Sequence, residues 1–313
     1  MIGFDIGGTK CAISVGYETN EGLHIEKKEI IPTDLTVSPY EMIEQMCALA
    51  ERMTDDFSSI GISCGGPLNS GQGIILSPPN LPRWDNVEIV DFLKCRYHGK
   101  VGLQNDANAC ALAEWKYGAG KGVENMIFLT FGSGFGAGLI LNGKLYTGAS
   151  DMAGEVGHIR LNDYGPIGYG KSGSLEGFCS GNGLAQLGKM YAMEQFQIGK
   201  QVSFCSDIGK LSNITAKTIA AAADEGYEDA RRLYEICGEQ LGRGLSILID
   251  ILNPELIVIG SIYQRSEHLL KTAMERVIKN ETLPYSEKAC RILPALLKEN
   301  IGDYAALSVA TTL

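Results

Sequence analysis

Asp5-Ile6-Gly7-Gly8-Thr9-Lys10 gathers an acid, two glycines, a hydroxyl and an ammonium within six residues. Glycines lack the Cβ that would keep a ligand away from backbone N–H groups. An acid before them and Thr-Lys after them suit a metal-bound polyphosphate, although such turns also occur in plain hairpins. Gly132-Ser133-Gly134 repeats the glycine turn. Asp106 lies in Gln104-Asn105-Asp106-Ala107-Asn108-Ala109, where a strand gives way to a helix. A carboxylate there can be a base in an α/β fold or merely the helix N-cap, and Asn105 beside it can hydrogen-bond a hydroxylated ligand. Glu155 and His158, in Gly154-Glu155-Val156-Gly157-His158, can point at one ligand or form a solvated turn, and Glu176 after the next glycine-rich loop carries the same alternatives. Ser77-Pro-Pro-Asn80-Leu-Pro-Arg-Trp84 offers an amide and an indole suited to a sugar face, with core packing as the other role for Trp84. The order along the chain is phosphate turn, polar loop, Asn-Asp, phosphate turn, Glu-x-x-His, Glu, and finally Gly260-Ser261.

Two glycine patterns are decoys. Gly132 to Gly138 looks like a dinucleotide fingerprint, but the strand-like Leu139-Ile140-Leu141 follows where that motif needs a helix. Gly165-Pro-Ile-Gly-Tyr-Gly170-Lys171-Ser172 matches the phosphate-binding G-x-x-x-x-G-K-[ST] pattern. The segment before it, His158 to Tyr164, is too polar for a central strand, and Gly173 interrupts any helix after it.

The elements that must hold these residues read as α/β. Strands are expected at Met1 to Phe4, Cys11 to Val15, Ser59 to Cys64, Val101 to Gln104, Met126 to Thr130, Ala137 to Leu141 and Leu256 to Ile259. Helices are expected at Pro39 to Arg52, Val87 to Tyr97, Ala107 to Tyr117, Glu228 to Leu252, Glu267 to Ile278 and Tyr304 to Leu313. Two glycine hairpins, each opening an α/β half, predict a duplicated architecture with a cleft between halves. The boundary is expected near Gly118 to Gly122, giving a smaller lobe of 1–118 plus 302–313 and a larger lobe of 119–301. The net charge of -10 argues against nucleic acid. No apolar run is long enough for a membrane span, and no secretory leader is visible. Nine scattered cysteines without a C-x-x-C pair read as reduced thiols, which points to the cytoplasm.

The set resembles the ROK family of repressors and sugar kinases, within the actin-like ATPase and sugar kinase superfamily. The resemblance spans nearly the whole chain, through DIGGTK at 5–10, ISCGGPL at 62–68, SPPNLPRW at 77–84, NDANACALAEW at 105–115, LTFGSGFGAGLI at 129–140, AGEVGHI at 153–159 and VIGS at 258–261. It implies a two-lobed actin-like ATPase (ribonuclease H-like) fold with an interlobe cleft, a homodimer, and ATP-dependent phosphorylation of a hexose hydroxyl. The 6-hydroxyl of glucose is the default acceptor; N-acetylmannosamine, fructose, allose and β-glucosides are the alternatives, as is a non-catalytic sugar-binding regulator. By motif match, Asp106 is the general base, and Asn80, Asn105, Asp106, Glu155, His158 and Glu176 hold the sugar. Gly7, Gly8, Thr9, Lys10, Gly132, Ser133 and Gly134 face the ATP phosphates, Gly260 and Ser261 lie near the nucleoside, and Asp5 positions Mg2+ through water.

One departure stands out. The family often holds a structural zinc with one His and three Cys in a C-G-C-G-x-x-G-C-L-E segment. The matching stretch here is Ile167 to Glu176, with Ile167, Tyr169 and Ser174 at the cysteine positions. His158 alone cannot hold zinc, so no structural zinc is expected, and Ile167 and Tyr169 are expected to pack where the metal would sit. The decoy phosphate pattern is then a zinc loop that has lost its ligands.

Overall fold

The computed structural model describes Met1–Leu313 apart from the side chain of Glu299. The strands are β1 (Ile2–Ile6), β2 (Lys10–Thr19), β3 (Gly22–Pro32), β4 (Ser59–Cys64), β5 (Leu68–Asn69), β6 (Ile74–Ile75) and β7 (Lys100–Asn105). They continue as β8 (Met126–Phe131), β9 (Phe135–Leu141), β10 (Lys144–Tyr146), β11 (Ile167–Gly168), β12 (Lys171–Ser172), β13 (Leu256–Ile259) and β14 (Arg291–Pro294). The helices are α1 (Pro39–Met53), α2 (Ile89–Tyr97), α3 (Asp106–Tyr117), α4 (Leu175–Phe178) and α5 (Gly181–Gln197). They continue as α6 (Ala216–Asp224), α7 (Glu228–Leu252), α8 (Ile262–Glu281), α9 (Pro284–Ala289) and α10 (Ile301–Ala310). Contacts divide the chain into one unit of Met1–Phe128, Gly138–Ala153 and Leu296–Leu313 and another of Leu129–Ala137 and Gly154–Ala295. No helix among the described residues is long and apolar enough to cross a membrane.

In the first unit the sheet order is β3-β2-β1-β4-β7. The β1–β2–β3 part is antiparallel, and β1, β4 and β7 are parallel. One face packs Ile2, Phe4, Ile13, Ile60, Ile62 and Leu103 with Met42, Ile43 and Met46 of α1 and Leu93 of α2. Helix α1 starts cleanly because Ser38 and Glu41 form a reciprocal capping box. On the sheet, Gly3 pairs with Gly61 and Gly61 with Gly102, a glycine row across three strands. Helix α10 lies on that row at backbone distance. A Cβ at Gly61 would stand 2.0 Å from the Ala306 oxygen, and one at Gly3 would stand 2.8 Å from the Ala306 Cβ. Asp303, buried in the first turn of α10, accepts hydrogen bonds from the Ser14 hydroxyl at 2.9 Å and the Lys28 ammonium at 2.5 Å. Both contacts supply the partners that a buried carboxylate requires.

The Gly118 to Gly122 break ends α3, as its composition predicts, but the chain stays in the first unit until Phe128. The cause is Glu114, a fully buried carboxylate on α3. One of its oxygens accepts the Ala119 N–H at 2.8 Å and the other the Leu297 N–H at 2.8 Å, fastening both stretches onto α3.

A second five-stranded sheet runs β10-β9-β8-β13-β14, and within β8 and β9 the chain passes from one unit to the other. In the second unit β13 and β14 are parallel. Helix α7 buries Leu233, Cys237, Leu241, Leu245 and Leu248 along one stripe. Helix α8 crosses it closely at Gly238 and Gly242, where a Cβ would meet the Leu270 and Met274 oxygens at 2.6 Å. Both α7 and β13 fall where the sequence predicts them, whereas α8 begins at Ile262, ahead of Glu267, and is interrupted at Ser266 (φ -124°, ψ 21°).

The glycine row gives a direct test. Gly61→Ala is expected to lower stability by roughly 2–3 kcal/mol, because an overpacked methyl forces backbone to move. Gly71→Ala, whose methyl meets only the Asn69 side-chain oxygen at 3.6 Å, is expected to change the urea midpoint little. Equal midpoints for the two variants would contradict the close docking of α10.

Candidate functional site

In the first unit the chain leaves β1 and turns through Gly7, Gly8 and Thr9, closed by the Gly7 N–H donating to the Lys10 oxygen at 3.1 Å. Thr33 fixes the turn from behind: its hydroxyl donates to the Gly7 oxygen at 2.6 Å and its N–H to the Thr9 oxygen at 3.0 Å. Gly8 is required by the neighbouring loop, since a Cβ there would sit 2.2 Å from the Asn80 oxygen. The phosphate turn and Asn80 are therefore brought together, with Asn80, Thr9 and Lys10 exposed. Trp84 is buried and packs in the core.

Asp5 stands on β1 opposite Ser63 of β4, and the first turn of α10 comes so near that a Cβ at Gly302 would lie 2.9 Å from an Asp5 oxygen. Burial, then the negative charges of Asp106 and Asp303, push the Asp5 carboxyl from 3.8 to about 6, against the opposing Ser63 hydroxyl and Lys10 ammonium. Asp106 is not the N-cap of α3. Asn105 takes that role, accepting the Asn108 N–H at 2.7 Å on its side-chain oxygen. Asn105 is buried with that oxygen engaged, which leaves its amide N–H groups as what it can offer a ligand. Asp106 occupies the first helical position, and its carboxylate accepts the Ala107 N–H at 2.8 Å while its side chain stays accessible. Desolvation by the surrounding protein raises its carboxyl above the ordinary value, opposed by the amides of Ala107 and of Asp106 itself. Burial and the charges of Asp106 and Asp5 also hold the Cys64 and Cys110 thiols neutral, so neither serves as a nucleophile.

In the second unit the Gly132–Gly134 turn closes with the Gly132 N–H on the Gly134 oxygen at 3.1 Å. The first amide of α5, from Gly181, donates to the Gly132 oxygen at 2.8 Å, and Gly136 N–H donates to the Thr130 hydroxyl at 2.9 Å. Gly260 and Ser261 adjoin this turn: Gly260 N–H bonds the Leu129 oxygen at 3.0 Å, and a Cβ on Gly132 would lie 3.8 Å from the Ser261 hydroxyl. Ser261 holds a left-handed backbone (φ 59°) as the cap of α8, the kind of strain that clusters at functional sites. Glu176, in the first turn of α4, accepts the Phe135 N–H at 2.9 Å on one oxygen. Gly134 and Gly157 both pack against it, with added Cβ atoms 2.9 Å from its Oε2 and 3.2 Å from its Cβ. Glu176 is thus bonded to the glycine turn itself, a link across 41 residues that no local pattern announces. His158 is exposed at the end of the single 3-10 turn Val156–His158, and Glu155 is exposed immediately before that turn.

The Gly165 to Ser172 decoy is a β-hairpin of β11 and β12, turning at Tyr169 and Gly170 with left-handed φ values of 43° and 75°. Ile167 and Tyr169 do not pack inward as expected; they are 53% and 75% exposed. The two-residue strands are too short to form a cavity that side chains could fill. Sequence reading also missed Thr33, Thr130, Glu114 and Asp303. Only Asp303 carries a local signal, as an acid in the otherwise apolar Tyr304-Ala305-Ala306-Leu307 helix.

The ROK family profile matches residues 1–312. The chain is 28% identical over 312 residues to a glucokinase of Thermotoga maritima, covering 99% of this chain and 96% of that protein. It is 32% identical over 310 residues to a glucokinase of Halalkalibacterium halodurans, covering 96% and 92%. Among solved structures, a ROK family glucokinase from Streptomyces griseus in complex with glucose and AMPPNP superposes with a TM-score of 0.77 at 27% identity, over 100% of this chain and 99% of that one.

Asp5 sets a pH signature in protein stripped of divalent cations. Its folded value of about 6 lies above the 3.8 of the unfolded chain. The native state therefore keeps a proton that the unfolded state has lost, and stability falls as pH rises through that interval, by up to about 3 kcal/mol. Asp5→Asn is expected to flatten this part of the stability curve, measured by urea unfolding in EDTA, and to be the more stable protein at pH 7. An unchanged slope in the variant would contradict the burial of this charge.

Proposed function

Since the chain belongs to the ROK family, we propose that it is an ATP-dependent hexose kinase, with the 6-hydroxyl of glucose as the leading acceptor. It has the actin-like ATPase fold of that family's kinases. The observation that carries the reading is Asp106: an accessible carboxylate at the start of α3, relieved of capping by Asn105 and raised in basicity by its surroundings. A raised carboxylate that is still ionised at working pH is the better proton acceptor.

In the proposed reaction a hexose hydroxyl loses its proton to Asp106 as its oxygen bonds the γ-phosphorus of ATP. The bond from that phosphorus to the β–γ bridging oxygen breaks, giving a sugar phosphate and ADP. Gly7, Gly8, Thr9 and Lys10 are assigned to the phosphates together with Gly132, Ser133 and Gly134. Gly260 and Ser261 are assigned to the nucleoside, which fits their place beside Gly132. Asn80, Asn105, Glu155, His158 and Glu176 are assigned to sugar hydroxyls, because amide, carboxylate and imidazole groups pair with specific hydroxyl donors and acceptors.

Asp5 fits Mg2+: it is a hard oxygen donor held near a second carboxylate, and a divalent cation relieves that repulsion. When bound, the ion would neutralise charge on the polyphosphate. Nine free cysteines fit a reducing compartment, the cytoplasm, and the family resemblance extends to a homodimer.

Asp106→Asn is expected to lower kcat roughly 10²–10⁴-fold, the range for losing a positioned base, while calorimetric glucose affinity stays near wild type. The wild-type kcat/KM should fall on the acid side with an apparent pKa above that of an ordinary carboxylate, since the base must be ionised to work. Full activity in the variant would overturn the assignment. Sugar binding without ADP formation in the wild type would mark a sugar-binding regulator instead.

A further inference from the structure

The family's zinc loop has no metal-ligand set in this chain. Ile167, Tyr169 and Ser174 stand where thiolates are needed, and among the described residues no group of three or more His, Cys, Asp or Glu could hold a metal ion. A loop without such a cross-link should fray from its neighbours, yet here each of the three positions is tied in another way. At Ile167 the Gln186 side-chain amide of α5 brackets the backbone, accepting the Ile167 N–H at 3.0 Å and donating to its carbonyl at 2.9 Å. At Ser174 the buried hydroxyl caps α4, accepting the Gly177 N–H at 3.1 Å. At Tyr169 the ring meets the His158 imidazole edge-on, with centroids 6.2 Å apart at 75°.

Three further contacts fall on the His158 segment. The Lys171 ammonium donates to the His158 carbonyl at 2.8 Å, and the Arg160 guanidinium donates to the Ser172 carbonyl at 2.8 Å. Leu175 N–H also bonds the Ile159 oxygen at 2.8 Å. The hairpin and the residues after it are thus bound to the chain at His158, Ile159 and Arg160.

We propose that this polar and aromatic clamp does the work of the metal, and that Lys171 and Tyr169 are positioning residues that hold His158 ready for the sugar. The consequence for sugar binding rests on the kinase reading; the clamp itself does not. Tyr169 restricts the imidazole ring from one edge and Lys171 fixes the backbone that carries it. A hydrogen bond to a charged group and an edge-on ring contact, lost together, should change affinity by about five- to twentyfold.

The test uses the purified full-length chain with Lys171→Met and Tyr169→Ala, singly and combined, alongside the conservative Lys171→Arg and Tyr169→Phe. Elemental analysis of wild type grown with added zinc is expected to find far less than one zinc per chain, and activity should survive a zinc-selective chelator in excess Mg2+. In the double variant the glucose Kd and KM are expected to rise about five- to twentyfold, with the ATP KM and kcat within about twofold and the conservative variants close to wild type. Amide hydrogen exchange at Gly157 to Arg160 should speed up in the sugar-free double variant. One tightly bound zinc per chain, or unchanged exchange over those amides, would overturn the clamp. Faster exchange with unchanged glucose affinity would overturn the positioning role. A wild type that binds no hexose would instead defeat the kinase reading and leave the exchange result to decide the clamp.

Discussion

Asp5 is held in poorly solvated surroundings near the like charge of the more accessible Asp106, and much of the first unit serves to keep the two carboxylates there. Neither arrangement is favourable by itself, since burial and mutual repulsion both push a carboxylate toward its neutral form. The sheet resists by rigidity. Asp5 sits on the inner strand β1 with strands on both sides, and Asp106 begins the helix that follows β7 at the sheet's edge. Helix α10 then approaches to backbone distance over the Gly3–Gly61–Gly102 row, which puts its first turn beside Asp5 and adds Asp303 to the field. Asp303 is itself tied to Ser14 and Lys28, so α10 cannot drift away from the sheet. In the proposed reaction this stored negative charge would be available to a cation and to the proton of the acceptor hydroxyl.

The second unit solves a different problem, the placement of flexible side chains on turns. Glu176 is fixed by donating nothing and accepting the Phe135 N–H, so its orientation is coupled to the glycine turn between β8 and β9. Ser261 caps α8 in a strained conformation next to the same turn. His158 lies on a single 3-10 turn whose own hydrogen bonds are few, and the β11–β12 hairpin supplies the missing restraint. Local backbone order is thereby borrowed from elements more distant in sequence.

The legibility of all this in the sequence was uneven for physical reasons. Helix α7 and strand β13 are readable because a long amphipathic stripe and a short β-branched run are strong, local signals. Strand β3 is not, because its Glu26-Lys27-Lys28-Glu29 centre is polar: it is an edge strand, exposed along most of its length. The motif residues were legible by type and spacing, but their division of labour was not. Asp106 and Asn105 compete for one capping role, and only the backbone geometry shows that Asn105 takes it. Glu176 on Phe135, Glu114 on Leu297 and Lys171 on His158 join residues that no periodicity connects. The inward packing expected of Ile167 and Tyr169 failed because hydrophobic type alone does not bury a side chain on a two-residue hairpin.

The central claim is that a carboxylate-activated hexose hydroxyl receives the γ-phosphoryl group of ATP. The most direct measurement is phosphorus NMR of the purified chain incubated with ATP, Mg2+ and glucose, beside reactions lacking sugar. The account predicts that ADP and a sugar monophosphate ester accumulate in equal amounts, with little free phosphate when sugar is absent. Release of inorganic phosphate without any phosphate ester, across glucose and the alternative hexoses, would contradict it.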